Sequence, residues 1–238
     1  MKGEFMSTIS KEHGDRLFWL GRYTERFFIT LRSLDRLYDK MIDEKHGYKE
    51  YLAYFGLDDT YSDSRDFIRS FLYDDSNPNS AAYSLERAYD NGIVLREEIS
   101  TKTLSFLQMA KDTLISSQGK ASVRLALLPL KDILYSFWGS INEHIYDDEI
   151  RNIIYIGKTL ERLDMYMRMK YPFADVEKEF IRLCKNLNRV PKGTPYRYNT
   201  NYLSTVVEIL GSEDDYELYS DKAIKSLEHL FEPMEVTV

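Results

Sequence analysis

The sequence is poor in residues that break helices or cross-link loops. It has 11 glycines, 6 prolines and a single cysteine, Cys184, in 238 residues. Chains built from many strands and tight turns normally carry more glycine and proline, whereas helix interiors need neither. A single cysteine cannot form an intrachain disulfide, which is typical of proteins in a reducing compartment. These scarcities favour an all-α protein of the cytoplasm.

Long apolar runs and a surplus of positive charge are also missing. No segment approaches the ~18 consecutive apolar residues of a membrane span, and residues 1–16 lack the apolar core of a secretory signal. General binding of nucleic acid requires a positive field to displace counterions from phosphate, and the net charge of −7 opposes it. We therefore predict a cytoplasmic protein that binds neither membranes nor nucleic acid.

Motifs for metals and cofactors are absent as well. The 4 histidines are scattered, without the His-x-x-x-His or Glu-x-x-His spacing of helical metal sites. No glycine-rich phosphate loop is present. The sequence also places no base near Cys184 that would activate its thiol as a nucleophile. We predict no metal and no cofactor.

Periodic apolar residues predict helices along most of the chain. Between Leu17 and Tyr38, apolar side chains recur at three- and four-residue steps and form one stripe along a helix of residues 7–43. Further helices are predicted within residues 48–56, 64–72, 81–115 with a bend near Ser100, 121–145 with a kink or break at Pro129, 149–171, 174–187, 202–210 and 215–231. No segment alternates polar and apolar residues as a strand does.

This pattern predicts an antiparallel bundle of about seven or eight helices. We expect residues 1–238 to form a single domain, with a motif-bearing core at residues 7–171 and further helices at residues 172–238. The one long loop, residues 188–201, is basic and rich in tyrosine. It is either a plain connection, a lid over an anionic ligand or a segment that docks a partner.

Two of the predicted helices share a gapless sequence match. Residues 17–26, LFWLGRYTER, align with residues 153–162, IIYIGKTLER, and Arg32 aligns with Arg168. Each copy contains Gly-x-x-x-Glu-Arg, so its glycine and glutamate lie on one face of the helix. Glycine inside a helix costs ~1 kcal/mol relative to alanine, and its presence in both copies indicates the close approach of another element. The match predicts an internal duplication.

The glutamate and arginine of each motif are adjacent and therefore lie ~100° apart around the helix. They are better placed to reach neighbouring helices than to reach each other. We predict reciprocal pairs between the two helices: Glu25 with Arg162 or Arg168, and Glu161 with Arg26 or Arg32.

These pairs permit two interpretations. In the first, they are a buried ion-pair network that fixes the register of the helices. In the second, they line a polar pocket in which arginines bind a carboxylate or a phosphate, and Glu25 or Glu161 acts as a general base with a raised pKa. Polar residues of the helical region 81–115 add to the second interpretation. Its ligand-binding candidates are Arg22, Arg26, Asn91, Arg96, Arg162 and Arg168.

Three segments, GRYTER (21–26), DDSNPNSAAYSLERAYDNGIVLREEIS (74–100) and GKTLER (157–162), resemble the Alpha-E domain family, a bacterial all-helical domain with an ER motif. They occur in the family's order, and the resemblance covers about residues 7–170. Tyr89 and Ile93 stand where the family has arginines. The residues that the resemblance implies are Gly21, Arg22, Glu25, Arg26, Asn77, Pro78, Ser80, Asn91, Arg96, Glu97, Gly157, Glu161, Arg162, Asp164 and Arg168.

The resemblance also implies partners. Genes of the family typically lie beside, or are fused to, genes of an ATP-grasp ligase-like protein and a transglutaminase-like cysteine peptidase, which implies a role in peptide or amide-bond metabolism. Three functions remain open. The chain is an accessory or binding protein that holds an amino acid or a peptide for the ATP-grasp partner, an enzyme that acts on an amide or amino-acid derivative with a glutamate base and arginine clamps, or a scaffold. The first two require a small anionic or peptide ligand.

Overall fold

The computed structural model describes residues 9–44, 47–119, 123–190 and 197–231, and within them the chain forms eleven α-helices and no strand. The predicted all-α class is confirmed. The helices are α1 (Lys11–Asp43), α2 (Lys49–Tyr54), α3 (Ser64–Tyr73), α4 (Ala81–Val94), α5 (Arg96–Ile99), α6 (Thr101–Ser117), α7 (Val123–His144), α8 (Asp148–Arg168), α9 (Phe173–Leu187), α10 (Thr200–Ile209) and α11 (Glu213–Glu228). Residues 7, 8, 121 and 122 of two predicted helices, and residues 191–196 of the predicted loop, lie outside the described residues.

The helix count exceeds the predicted seven or eight partly because the segment of residues 81–115 is divided into three helices. Ser100, where a bend was expected, has a φ of 72°, which a right-handed helix cannot continue through. Its side chain then caps α6 by accepting a hydrogen bond from the backbone N–H of Thr103. At Pro129, where a kink or break was expected, the helix is not broken, because α7 continues through the proline.

Helices α1 and α8 lie side by side and run in the same direction. Where the two helices first come into contact, the backbone carbonyl of Phe18 lies against Gly157. Towards the C-terminal ends of both helices, the hydroxyl of Ser33 lies 3.4 Å from the sulfur of Met169. The central pair therefore departs from the antiparallel arrangement expected of the bundle. Six helices separate α1 from α8 along the chain, so no short loop forces them into opposite directions.

The neighbours of this pair are antiparallel to it, as expected. On α1, the ring of Tyr23 meets that of Tyr83 in α4, while His13 pairs with Glu98 beyond the far end of α4. Helix α9 also packs antiparallel on α8, and α7 packs antiparallel on α1. The central pair is thereby enclosed on several sides, and most of α8 is buried.

The core confirms the apolar stripe of the first helix, since Leu17, Leu20, Phe27 and Leu31 are all fully buried. A compact aromatic cluster from α2, α3 and the segments beside them packs near this stripe; its rings are Tyr48, Tyr51, Tyr61, Phe67 and Phe71. Across the described residues, no helix combines the length and the apolar character that crossing a membrane requires. The single-domain organisation stays a prediction.

Candidate functional site

The two motif glycines mark the point where the backbones of α1 and α8 touch. A Cβ atom built on Gly21 would lie 2.1 Å from the carbonyl oxygen of Ile154, and one built on Gly157 would lie 2.1 Å from that of Phe18. Matching positions therefore make matching contacts, and the close approach predicted from the glycines is present. Whether the two helices arose by duplication stays a prediction.

Glu161 lies beside this contact and is fully buried. Its Oε2 accepts a hydrogen bond of 2.6 Å from Nε of Arg22, and its Oε1 accepts one of 2.5 Å from Nε of Arg26. Burial alone would raise the pKa of Glu161, but the two guanidinium groups outweigh it and lower the pKa to about 2. The raised pKa predicted for a general base is thus wrong for Glu161, because both of its oxygens bind cations.

Glu25, at the matching position of α1, is also fully buried. Its Oε1 accepts a 2.7 Å hydrogen bond from Nε of Arg162, and its Oε2 has no hydrogen-bond partner among the described residues. The structure therefore contains the predicted pairs Glu25–Arg162 and Glu161–Arg26. It does not pair Arg168 with Glu25 or Arg32 with Glu161.

Those two arginines make other contacts. Arg168 donates from Nε to both carboxylate oxygens of Asp164, each at 3.1 Å, and from Nη2 to Glu228 at 2.5 Å. The guanidinium of Arg32 lies over the ring of Phe28, 5.7 Å from its centre. The contacts of the two motif helices therefore diverge at matching positions two turns beyond the glutamates.

A cleft of about 210 Å³ opens beside Glu161, with walls from α1, α8, the aromatic cluster and α11. We call it the balanced cleft because guanidinium groups and carboxylates line it in equal number. Its charged residues are Arg22, Arg26, Arg168, Glu161, Asp164 and Glu228. Tyr51, Phe55 and Phe71 supply an apolar wall.

Asp164 is a second carboxyl group of this cleft whose pKa is shifted, in the direction opposite to that of Glu161. Burial and the neighbouring charge of Glu161 raise its pKa, while Arg168 and Arg22 oppose that shift. Neither Asp164 nor Glu228 was among the predicted ligand-binding or catalytic residues. The resemblance had implied a role for Asp164, but Glu228 lies in α11, where no motif marks it.

The other predicted residues lie elsewhere. Arg162 faces a second cleft between α7, α8 and α9, so the single predicted pocket is in fact two. Asn91 donates a 3.0 Å hydrogen bond to the carbonyl of Arg87 and lines a groove between α1 and α4. Arg96 is exposed on α5. Asn91 and Arg96 therefore do not join the predicted pocket, because their helices place them away from α8.

Comparison with known proteins gives one match. The sequence model of a family described as a predicted alpha-helical domain with a conserved ER motif matches residues 12–226. The matched region contains both Gly-x-x-x-Glu-Arg helices and extends into α11. Neither a curated protein nor a solved structure matches the chain.

Proposed function

The chain belongs to the Alpha-E family, and from that premise we propose that it is a binding protein that holds an amino acid or the end of a peptide in the balanced cleft for an amide-bond-forming partner. The observation that carries the proposal is the equal number of guanidinium groups and carboxylates around one small space. A zwitterionic ligand carries both of the charges that such a lining binds.

The arginines supply the site for a ligand carboxylate. Arg22 and Arg26 donate to Glu161 through Nε, and among the described residues no acceptor takes their terminal Nη groups. Guanidinium groups bind carboxylates through two parallel hydrogen bonds, which are stronger than those between neutral groups. Glu161 holds the two side chains in place, so they need not be ordered again when the ligand binds.

The carboxylates at the other part of the cleft supply the site for a ligand ammonium group. Asp164 and Glu228 both contact Arg168, so this arginine connects the acidic and basic parts of the lining. The volume of about 210 Å³ is below the ~300–1,000 Å³ typical of pockets for drug-sized ligands. The cleft therefore fits a small ligand, and its aromatic wall fits an apolar side chain.

The partner is proposed from the family. An ATP-grasp ligase-like protein joins a carboxylate to an amine, and a protein that holds an amino acid or peptide end would supply one of these substrates. A cytoplasmic location belongs to the same proposal, since the ATP that such a ligase consumes is found there.

Catalysis by this chain itself has one candidate residue. A carboxylate whose pKa is lowered to about 2 is a weak base, which argues against Glu161 in that role. The raised pKa of Asp164 makes it the better acid or base. Breakdown of a bound amide, lost in Asp164→Asn, would favour the enzyme over the binding protein.

Isothermal titration calorimetry with free amino acids and dipeptides tests the proposal. We expect binding of ligands that carry both termini and loss of binding when either terminus is chemically blocked. The variant Arg168→Met should weaken binding at least tenfold, because Arg168 holds Asp164 and Glu228 in place for the ligand's ammonium group and a hydrogen bond to a charged group contributes ~1.5–3 kcal/mol. Removing Arg168 leaves the pairs of Glu161 intact.

Arg32→Met is the matched control, because Arg32 aligns with Arg168 but contacts Phe28 and lines neither cleft. We expect it to bind as the unmodified protein does. Circular dichroism and thermal unfolding establish that both variants fold. Equal affinity in a folded Arg168→Met, or no binding of any zwitterionic ligand, would contradict the proposal and leave the scaffold as the function.

A further inference from the structure

The second cleft differs from the balanced cleft in charge. It has a volume of about 520 Å³, and we call it the basic cleft because five cationic side chains line it. They are Lys158, Arg162, Arg182, Lys185 and Arg189. Lys158 aligns with Arg22 and Arg162 with Arg26, so the two clefts use matching positions of the two motif helices.

Only two of the five positive charges of the basic cleft are paired with a carboxylate of the described residues. Arg162 pairs with Glu25, and Arg182 donates to Glu179 at 2.6 Å. Lys158, Lys185 and Arg189 have no carboxylate within ion-pair distance among the residues that the structure describes. Three positive charges therefore remain in excess in one cleft, although the whole chain has a net charge of −7.

Two side chains that line the same cleft carry buried polar atoms without partners among the described residues. Trp138 and Glu179 are 6% and 4% exposed, and both line the cleft. The indole Nε1 of Trp138 and the Oε2 of Glu179 lack hydrogen-bond partners within the described part of the chain. Leaving a buried donor or acceptor without a partner costs ~1–3 kcal/mol, a cost that a bound molecule in contact with these atoms would remove.

The two buried atoms without partners indicate which hydrogen-bonding groups a ligand should carry. The indole N–H is a donor and needs an acceptor oxygen, whereas the ionised carboxylate oxygen is an acceptor and needs a donor. A phosphate monoester offers both near neutral pH, because its second pKa is ~6 and a part of it carries a hydroxyl. Sulfate has acceptor oxygens alone.

The wall of the cleft beside these atoms is aromatic. The rings of Trp138 and Tyr155 stack, with centres 5.9 Å apart, and the ammonium group of Lys158 lies 3.7 Å from the centre of the Trp138 ring. Burial lowers the pKa of Lys158 to about 8, although the nearby Glu25 opposes this shift. A bound anion would stabilise the charged form of this lysine.

We propose that the basic cleft binds a small phosphorylated compound, with its phosphate group among Lys158, Lys185 and Arg189 and its organic part against Trp138. The proposal does not depend on the balanced cleft, since the two clefts share no lining residue. A binding protein with both sites would hold a zwitterionic ligand and a phosphorylated one at separate places.

Fluorescence of Trp138 provides a site-specific test. The chain has 2 tryptophans, so the variant Trp19→Phe leaves Trp138 as the only one. We expect inorganic phosphate and pyrophosphate to change its emission in a saturable way, and pyrophosphate to bind more tightly because it carries more charge. Sulfate at the same ionic strength should bind at least tenfold more weakly than phosphate.

The double variant Lys185→Gln/Arg189→Gln, made in the Trp19→Phe background, should weaken pyrophosphate binding at least tenfold. Both residues are exposed, so the fold should be retained. Lys178→Gln is the matched control, because Lys178 is an exposed cation of α9 that does not line the cleft; it should bind pyrophosphate normally. No change in Trp138 emission at millimolar phosphate, equal binding of sulfate, or unchanged affinity in the double variant would each overturn the proposal.

Discussion

Replacing Gly21 with alanine is expected to destabilise the protein by ~2 kcal/mol or more. The new Cβ atom would lie 2.1 Å from the carbonyl oxygen of Ile154, and a backbone atom cannot rotate away as a side-chain tip can. Helices α1 and α8 must therefore separate. Overpacking costs ~1–3 kcal/mol and occasionally more, and at this distance we expect the upper end, which exceeds the ~1 kcal/mol that alanine gains over glycine in a helix. Equilibrium unfolding in urea measures the difference.

Two further substitutions control for the general effect of alanine. Gly157→Ala should resemble Gly21→Ala, because its Cβ atom meets the carbonyl oxygen of Phe18 at the same distance of 2.1 Å. Gly139 lies inside α7, and nothing lies within 4 Å of a Cβ atom built on it. Gly139→Ala should therefore stabilise the protein by ~1 kcal/mol, which raises the Tm by about 2–4 °C in a chain of this size. A Gly21→Ala protein as stable as Gly139→Ala would contradict the close packing.

The sequence could predict this contact because the signal is local. A glycine inside a helix is unfavourable unless something approaches it, and an adjacent glutamate and arginine cannot pair within one helix. Those two facts were enough to predict the approach at Gly21 and Gly157 and a pair of Glu25 with either Arg162 or Arg168, of which the structure contains the first. A helix cap is local in the same way: Ser80 precedes α4 and accepts a hydrogen bond from the backbone N–H of Tyr83.

The remainder of the site depends on how distant helices are rotated and placed. Periodicity says which face of α8 is buried, but it does not say that Glu161 binds two arginines while one oxygen of Glu25 stays without a partner. Glu228 reaches the balanced cleft from α11, which carries no motif. Nor does any local pattern give the relative direction of α1 and α8, because that direction is set by the helices between them.

Replacing Glu161 with glutamine is expected to have the largest effect, a loss of ~3–5 kcal/mol at neutral pH. Glutamine has nearly the same shape, so the packing is retained, but the partly buried guanidinium groups of Arg22 and Arg26 lose their shared, fully buried counter-ion. Removing one partner of a buried ion pair costs this much because the remaining charge stays desolvated. Glu12→Gln is the control, since Glu12 pairs with Arg16 in an exposed ion pair on α1 and such pairs contribute little.

The pH dependence of this difference identifies its electrostatic origin. The pKa of Glu161 is lowered from 4.5 to about 2 in the folded protein, so its ionisation stabilises the fold fully above pH ~4.5, and this contribution, of about 3 kcal/mol, is lost as the pH falls towards 2. The difference in unfolding free energy between the unmodified protein and Glu161→Gln should therefore shrink as the pH is lowered from about 5 to about 3.

Asp164 should show the opposite trend. Its pKa is raised from 3.8, so its ionised form destabilises the fold at neutral pH, and this penalty disappears as the pH falls through the raised pKa towards 3.8. In the unmodified protein, protonation of Asp164 at low pH partly offsets the stability that is lost when Glu161 is protonated. The Asp164→Asn variant lacks this offset, so its free energy of unfolding should fall more steeply with decreasing pH than that of the unmodified protein. Urea unfolding at several pH values separates the two carboxyl groups. A difference for Glu161→Gln that does not change with pH would mean that the two arginines do not hold this glutamate ionised.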